Sequence, residues 1–536
     1  MSTIPNQASD SPAISTPGAT ADLVQLEFRR SMGQISRQSL MFFLGTVFTM
    51  GAGYLVKIYI ARVLGAEQLG LYTLGMTLVS LTQLVAVLGL PSAAGRYVAA
   101  YNATGRFEEL RGFLTRSVAV VVFLNLIFSS GLLLCGPWIA RHLYHAPALG
   151  QYIPFLAALT ILGSLNVFYC QVLAGFKDVA KRTVITNFIG SPLVIVLTVV
   201  LLASGTGMRG YLAAQIANSV VVVALLVAAT RKLTPPAARF SRDPLPSFDP
   251  DIRAFAAAAF GMGVLDFLVT QADKIVLGLC LSPALVGIYA VASTLSALIP
   301  IILQSVNQIF APVIAELRAQ ARHEVLEKLF QTLTKWVLGL TLPLAFVVMA
   351  FALPLMRIFG PGFDAGWPVV VIGAIGQVVN CGVGSVGFLL LMSGNQRRLM
   401  RVQFAMAGVS VLVNVALIPV LGIVGAAVAA ACVNAGSNLW NLFEVRTALR
   451  ISPYNRSYLA LLVPAVLTAS IVVLLRVSTA SITHPWLIIL LALGLAYVVF
   501  AISAMAFALD QDDRMITRAA WSLLRKFMPG KEVSAA

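Results

Sequence analysis

The chain contains 536 residues, of which 59% are hydrophobic and only 11% are charged, and its mean hydropathy is +0.89. Because a soluble domain carries about 25% charged residues, this composition excludes a soluble globular protein and indicates an integral membrane protein. The formal net charge of +16 would by itself suggest a nucleic-acid partner, but the placement of the basic residues gives it another origin.

Fourteen apolar runs of about 20 residues, the length that crosses a bilayer core, occur along the chain. Six precede a polar, proline-rich segment, with predicted bounds 39–61, 69–90, 113–134, 152–173, 183–203 and 211–229. Eight follow it, at 254–281, 286–311, 333–353, 367–392, 399–419, 423–443, 458–475 and 485–507. The sequence therefore predicts an all-α polytopic membrane protein with 14 transmembrane helices.

The basic residues are concentrated on one side of these predicted spans. If the N-terminus is cytoplasmic, the opposite side holds only Arg62, Arg141, Arg209, Arg357 and Arg476. This asymmetry is the positive-inside rule, and it predicts that both termini are cytoplasmic. The basic loops would face anionic inner-leaflet lipid, so we expect membrane lipids as partners and no nucleic acid.

The two groups of six spans are related by an internal repeat with an offset of 217 residues. Eight of the 25 residues from 57 to 81 are identical to their counterparts at 274–298, where chance would give roughly two or three matches. Because each group has an even number of spans, both enter the membrane in the same direction, as expected for parallel repeats. The identical pairs include Lys57 with Lys274, Gly70 with Gly287, Tyr72 with Tyr289, and Thr77 with Thr294.

The expected organisation is two parallel six-helix lobes followed by two extra C-terminal helices. A disordered or interfacial tail is expected over residues 1–38, and a cytoplasmic linker over 230–253. An amphipathic cytoplasmic helix and tail are expected at the C-terminus. The predicted bounds are 39–229 for the first lobe, 254–452 for the second, 453–509 for spans 13 and 14, and 510–536 for the C-terminal segment.

Lys57 and Lys274 lie inside apolar spans, where a lysine at a helix centre costs about 2.5 to 3.5 kcal/mol. An axis along the membrane normal would place them on opposite walls of a central cleft. Two ammonium groups there would attract an anionic head group such as a pyrophosphate, with Arg62 one turn beyond Lys57. Two alternatives remain open: Lys274 reaches the membrane interface by snorkelling, and Arg62 is a surface arginine at a helix end.

Asp266 and Asp273 lie in the same predicted span as Lys274 and are seven residues apart, so they share a helix face. One interpretation is that they bind a proton or Na⁺ for coupling, because burial raises the pKa of a carboxyl group. The other is that Asp273 neutralises a lysine across the cleft. The sequence supports both.

Two pattern matches are discounted, and no cofactor is predicted beyond a possible coupling ion. Gly382-x-Gly384-x-x-Gly387 fits a dinucleotide fingerprint but lies inside an apolar span, so it indicates a packing surface. His142 and His145 have no acidic or cysteine partner, so no metal site is expected. The sequence also contains no catalytic constellation in a suitable context, so we expect no enzyme activity.

The chain resembles the Wzx-type polysaccharide repeat-unit flippases of the multidrug/oligosaccharidyl-lipid/polysaccharide (MOP) exporter superfamily. The resemblance covers about residues 35 to 510. It lies in the number of spans and in two motifs: Arg62-x-Leu64-Gly65-x-x-x-x-Gly70-x-Tyr72 in the first half, and Asp273-Lys274-Ile275-x-x-Gly278 followed by Gly287-x-Tyr289-x-x-Ala292 in the second.

This resemblance implies a V-shaped pair of lobes that alternate access. They would move an undecaprenyl-pyrophosphate-linked oligosaccharide across the bacterial inner membrane for O-antigen, capsule or exopolysaccharide synthesis. A polysaccharide polymerase and other assembly proteins would be partners, and the protein is expected to be a monomer. Two alternatives are a cation-coupled small-molecule antiporter of the same superfamily and a membrane-embedded glycosyltransferase or polymerase. Spans 13 and 14 count against the first, and short outer connections against the second.

Overall fold

The computed structural model describes residues 17–236, 250–320, 322–479 and 485–507, with side chains from residue 51 onward except at 308, 309, 312, 456, 457 and 485. All regular elements within these ranges are helical, which confirms the all-α class. The first half of the chain is used below for residues 17–236, and the second half for residues 250–507. The expected C-terminal amphipathic helix within 510–536 and most of the linker lie outside the described residues.

Short π-helical or 3₁₀ segments connect some α-helices of the first half, at Ile139–Leu143, Pro147–Tyr152 and Val184–Gly190. Prolines lie in the first turn of several helices, where their fixed φ suits the helix and no N–H is needed. The α-helices of the first half are α1 (Pro17–Val87), α2 (Leu90–Thr104), α3 (Phe107–Trp138), α4 (Ile153–Gly175), α5 (Val179–Thr183), α6 (Ser191–Ala203) and α7 (Gly207–Leu233).

The α-helices of the second half begin after the proline-rich segment. A 3₁₀ turn at Phe363–Gly366 precedes the sixth of them. They are α8 (Pro250–Cys280), α9 (Pro283–Ser296), α10 (Ile301–Ala319), α11 (His323–Ala350), α12 (Ala352–Arg357), α13 (Trp367–Val383), α14 (Val386–Met392), α15 (Gln396–Leu449), α16 (Arg456–Leu459), α17 (Leu462–Ser478) and α18 (Pro485–Phe507).

Ten helical stretches of the described chain are long and apolar enough to cross a membrane, and a bent pair of helices would make an eleventh. Helix α17 is apolar too but shorter, with 17 residues. The protein is therefore a multi-pass membrane protein.

Two of these helices are interrupted by a glycine at the junction between predicted spans. Helix α1 has 71 residues, which would extend about 105 Å if straight, far more than the roughly 30 Å of a bilayer core. Its backbone leaves helical geometry at Gly65 (φ 77°, ψ 174°). Helix α15, with 54 residues, does so at Gly422 (φ 60°, ψ −135°). Both glycines adopt positive φ, which other residues rarely tolerate.

Two predicted boundaries differ from the structure. The predicted span 286–311 is a bent pair, α9 and the start of α10, inclined by 56°, and Pro300 lies at the break because it cannot continue the hydrogen-bond ladder. Helix α1 begins at Pro17, so residues 17–38 are helical and not the disordered tail expected from composition. The Ser- and Pro-rich sequence ends near Gly18, and the residues after it are mostly good helix formers.

The two halves meet at the end of the molecule where α1 breaks, called here the Gly65 end. A Cβ atom on Gly70 would overlap the carbonyl oxygen of Pro283, and one on Gly287 would overlap that of Ala66. The repeat-related glycines thus let α1 and α9 cross with their backbones in contact, as small residues do in membrane helix pairs. One continuous core of buried side chains surrounds this crossing and includes Leu74 and Val291.

The halves also touch at the opposite end, called here the Gly89 end. Gly89 adopts φ 71° and lies so close to α8 that a Cβ would overlap the carbonyl oxygen of Ala256. The Phe255 ring of α8 lies edge-on to Tyr97 at 6.0 Å between centroids, and the Arg96 guanidinium lies 4.8 Å from the same ring centroid. The two halves are therefore in contact at both ends.

Helices α17 and α18 pack against each other and against α11 of the second half. Buried side chains of α17 and α18 share a cluster with Val347 and Phe351. The Tyr497 hydroxyl donates to the Leu340 carbonyl oxygen at 2.9 Å. These two helices are thus attached to the second half.

We expect Gly70→Ala to destabilise the protein by about 1–3 kcal/mol, the usual cost of overpacking, because its methyl group has no space against Pro283. Gly131→Ala is the matched control, since Gly131 of α3 has open space around it. Thermal unfolding of both variants in detergent tests this. Equal melting temperatures would show that α1 and α9 do not approach so closely.

Candidate functional site

Lys57 lies in α1, eight residues before the break at Gly65, and its side chain is half-buried. Its ammonium Nζ donates to Thr294 Oγ1 at 2.6 Å. One turn earlier on the same helix, the Tyr54 hydroxyl donates to the Thr294 carbonyl oxygen at 2.7 Å. Because Thr294 belongs to α9, Lys57 connects the first half of the chain to the second.

Lys274 lies in α8 and is also half-buried. Its Nζ donates to Gln271 Oε1 at 2.8 Å and to the Thr270 carbonyl oxygen at 3.3 Å, both on its own helix. The Lys57 and Lys274 ammonium groups are close enough for their charges to repel each other. The structure therefore brings the two lysines of the sequence repeat together.

Asp273 faces α9. Its Oδ2 accepts a hydrogen bond of 2.6 Å from the hydroxyl of Tyr289, whose side chain is buried. Its Oδ1 accepts from the Lys274 backbone N–H at 2.8 Å. The carboxylate is thus held by a tyrosine and a backbone amide, and not by a lysine ammonium. The interpretation that Asp273 neutralises a lysine across the cleft is not what the contacts show.

Asp266 is exposed, unlike Asp273. With Thr270 and Lys274 it follows the spacing i, i+4, i+8, so the three residues lie along one face of α8. The Thr270 hydroxyl donates to the Asp266 backbone carbonyl at 2.8 Å, which leaves the carboxylate available. An exposed carboxylate is open to a hydrated cation, but Asp266 lacks the burial on which the proton-binding interpretation depended.

Arg62 lies at the Gly65 end. Its Nε donates to the Ile358 carbonyl oxygen at 2.7 Å, and the residue is exposed. Its Cα lies 3.9 Å from the position that a Cβ on Gly360 would occupy. Arg62 thus connects α1 to the loop after α12, and this contact is separate from those of the two lysines.

Thr294 and Gln271 accept hydrogen bonds from the lysines, a role that the sequence did not assign to them. Each carried a signal: Thr294 is identical to Thr77 in the repeat, and Gln271 is an amide inside the same apolar span as Lys274. Which acceptor each lysine reaches depends on helix packing, and the repeat alone does not determine it.

The discounted motifs occupy structural positions. Gly384 has φ 75° and separates α13 from α14, and the Tyr458 hydroxyl donates to the Gly382 carbonyl oxygen at 2.8 Å. His142 stacks on Trp138 at 5.4 Å between ring centroids. Within the described ranges, no group of three or more His, Cys, Asp or Glu residues could hold a metal ion.

The geometry defines a class: an α-helical multi-pass membrane protein built from two repeat-related halves, with a lysine of the first half bonded to the second. Its structure is similar to that of lipid II flippase MurJ in an inward closed conformation. The TM-score is 0.66 over 87% of this chain and 98% of that one, with 13% identity. An inward-facing multidrug resistance MATE family transporter of the MOP superfamily gives a TM-score of 0.59 over 74% and 94% of the two chains, with 15% identity. At these identities the similarity concerns the fold alone.

A family model described as "Polysaccharide biosynthesis protein" matches residues 59–361, more than half of the chain. The chain therefore belongs to this family. Together with the relatives described next, this match confirms the resemblance to the polysaccharide flippases of the MOP superfamily.

Two relatives show how far the sequence similarity extends. The probable flippase AglR of Haloferax volcanii is 24% identical over 418 residues, which cover 74% of this chain and 80% of AglR. Stage V sporulation protein B of Bacillus subtilis is 28% identical over 160 residues, which are 28% of this chain and only 30% of that protein. The archaeal match is thus the longer of the two, and the bacterial match covers under one third of its relative.

We expect Tyr289→Phe to cost more stability than Tyr72→Phe, its matched control at the repeat-related position. Tyr289 donates to a carboxylate, and such bonds contribute about 1.5–3 kcal/mol, whereas neutral ones contribute about 0.5–1.5 kcal/mol. Tyr72 bonds to the neutral Tyr211 hydroxyl and packs against that ring at 4.9 Å. Thermal unfolding of the purified variants is the measurement. Equal losses for both variants would contradict a charged partner for Tyr289.

Proposed function

We propose that the protein is a flippase that moves undecaprenyl-pyrophosphate-linked oligosaccharide repeat units across the bacterial inner membrane by alternating access. Such units serve O-antigen, capsule or exopolysaccharide synthesis. The observation that carries the proposal is the half-buried position of Lys57, which bonds across to Thr294 of the second half and lies within range of the charge of Lys274.

The chemistry of this pair favours an anionic substrate. Two ammonium groups that repel each other in a poorly solvated region lose that repulsion when a dianion lies between them. Charge-assisted hydrogen bonds to phosphate oxygens are about twice as strong as neutral ones. A pyrophosphate has enough oxygens to accept from both lysines, so it satisfies the site better than a neutral or cationic molecule does.

The comparisons support the same substrate class. The family is one of polysaccharide biosynthesis. Two Haloferax volcanii relatives are named a probable flippase and a probable low-salt glycan biosynthesis flippase. Transfer of those names to this chain is part of the proposal, as is the conclusion that it is a transporter and not an enzyme. The expected substrates and partners are lipid-linked oligosaccharide, membrane lipids and polysaccharide assembly proteins.

The proposed layout is 14 crossings in two parallel six-helix lobes plus α17 and α18. Ten helical stretches pass the length and hydropathy test. The breaks at Gly65 and Gly422 add two crossings, the bent pair α9 and α10 adds one, and the short α17 adds one. An even total places both termini on one side, and the basic loops assign that side to the cytoplasm.

A cation-coupled small-molecule antiporter is the second candidate, and Asp266 is the observation that favours it. This exposed carboxylate lies on the same helix face as Lys274 and would bind Na⁺. Asp266 also fits the flippase, because a coupling ion could drive lipid-linked substrate as well. The flippase and the antiporter therefore differ in the substrate that they transport, and both can use an ion site.

We expect the double variant Lys57→Gln, Lys274→Gln to abolish most transport without loss of protein from the membrane, because both charges that attract pyrophosphate are removed. The measurement is the amount of lipid-linked oligosaccharide facing the cytoplasm, together with surface polysaccharide, in a gene-deletion strain that expresses each variant. Arg141→Gln is the matched control, since it removes an exposed charge of the first half away from this pair. Normal polysaccharide in the double variant, with altered resistance to cationic drugs, would favour the antiporter.

We expect alkaline phosphatase fused after Gly205 or Gly362 to be active, and inactive when fused after Lys177 or Gly394. These positions lie in connections that the proposed layout puts outside and inside, respectively, and the enzyme folds only outside the cytoplasm of a bacterium. Fusions to a cytoplasm-active reporter at the same sites should give the opposite pattern. Activity of the same reporter at both Lys177 and Gly205 would contradict the proposed number of crossings.

A further inference from the structure

Thr294 is the point where the first half of the chain holds the second half next to the lysine pair. Its Oγ1 accepts from Lys57 Nζ at 2.6 Å and donates to the Ala290 carbonyl oxygen at 2.7 Å. Its backbone carbonyl oxygen accepts from the Tyr54 hydroxyl. Because the hydroxyl hydrogen is used within α9, the oxygen lone pairs are directed to Lys57. Two side chains of α1 therefore converge on one residue of α9.

Lys274 and Thr77, the repeat counterparts of Lys57 and Thr294, do not form the corresponding hydrogen bond. Thr77 also donates to its own helix, at 2.9 Å to the Thr73 carbonyl oxygen, but Lys274 donates to Gln271 and Thr270 of α8. The residue of α1 that corresponds to Gln271 is Tyr54, whose hydroxyl donates to the Thr294 carbonyl oxygen of α9. Lys57 and Tyr54 therefore both bind the opposite half, whereas Lys274 and Gln271 bind each other.

The Thr294 hydroxyl is a weaker hydrogen-bond acceptor for Lys57 than a phosphate oxygen is. A threonine hydroxyl is a neutral acceptor, whereas a phosphate oxygen is charged and forms shorter and stronger bonds with an ammonium group. A phosphate that approaches Lys57 would therefore compete with Thr294. When it displaces the hydroxyl, the bond between Lys57 and α9 is lost, and only the Tyr54 bond to the Thr294 backbone remains at this level.

We propose that the Lys57–Thr294 hydrogen bond is a latch that holds the halves together in the substrate-free protein and is released when a phosphate group binds Lys57. Lys274 attracts the same phosphate but is not part of the latch. The assignment of the anion rests on the proposed flippase function, but the latch between the halves does not. Binding and separation of the halves are thereby coupled, since a ligand shifts an equilibrium only through its different affinity for the two states.

This coupling predicts that substitutions at Thr294 and at Lys57 have opposite effects on the affinity for pyrophosphate. Thr294→Val releases Lys57 without removing its charge, so phosphate no longer competes with an internal acceptor. We expect the dissociation constant of a pyrophosphate probe to fall by about tenfold, the equivalent of one modest hydrogen bond to a charged group. Lys57→Gln opens the latch too, but it also removes a ligand and should weaken the binding.

The first measurement is the separation of the halves in purified, cysteine-depleted protein in lipid nanodiscs. Spin labels at Ser204 and Asp364, exposed residues of the first and second half near the Gly65 end, report it by double electron–electron resonance. Without ligand, Thr294→Val should shift the distances to longer values, and wild type should shift likewise on addition of inorganic pyrophosphate. Thr294→Ser, which keeps the hydroxyl, and Thr77→Val, which removes the repeat-related one, should match wild type.

The second measurement is calorimetric titration of the same proteins with inorganic pyrophosphate. Tighter binding by Thr294→Val than by Thr77→Val supports the latch. Lys274→Gln should weaken the binding while the ligand-free distances stay as in wild type. Unchanged distances and unchanged affinity in Thr294→Val would overturn the latch.

The two hypotheses fail in different ways. If Thr294→Val separates the halves but no variant binds pyrophosphate, the latch is supported and the anionic substrate is contradicted. If pyrophosphate binds and its binding requires Lys274, but Thr294→Val leaves the distances unchanged, the substrate class is supported and the latch is overturned.

Discussion

The backbone contact between α1 and α9 at Gly70 and Gly287 is the constraint on which the rest of the structure depends. Transmembrane helices are not driven together by apolar burial, since lipid tails are as apolar as leucine. Close approach through small residues gives the van der Waals contact that replaces it. This crossing fixes α1 against α9 and thereby places Lys57 next to Thr294 of the second half.

The repeat provides a symmetric scaffold, and a few substitutions within it make the polar groups asymmetric. Gly70 and Gly287 play equal parts in the crossing, because each packs against the backbone of the opposite half. Asp273, however, corresponds to Val56, so the tyrosine–carboxylate pair has no counterpart at the repeat-related positions of the first half. Packing is therefore shared between the halves, whereas Asp266 and Asp273 belong to α8.

Much of the fold could be predicted from the sequence because the length of each apolar run determines where a helix can span the membrane. The gaps between apolar runs at residues 61–69 and 419–423 predicted two turns. The backbone does turn in these gaps, at Gly65 and at Gly422. The pairing of Lys57 with Lys274 as equivalent positions followed from the repeat. The acceptor Thr294 did not, because the relative rotation and height of α1 and α9 are set by packing contacts that are far apart in sequence.

The same limit explains the other differences between prediction and structure. Arg62 was grouped with the lysines by distance along the helix, but its Nε contacts the loop after α12. Helix α1 begins 22 residues before the predicted span at 39, because the hydropathy scan detects apolar runs and misses polar helical turns. The bend at Pro300 was hidden inside one continuous apolar run. In each case the local chemistry was visible in the sequence, and its geometric effect was not.

The attachment of α17 and α18 to α11 makes the two halves unequal in size. Both helices present many large apolar side chains to their surroundings, so they add lipid-facing surface to the second half. In the proposed alternating-access cycle, the second half is therefore the body that meets more viscous resistance from the bilayer, and the first half is the lighter one.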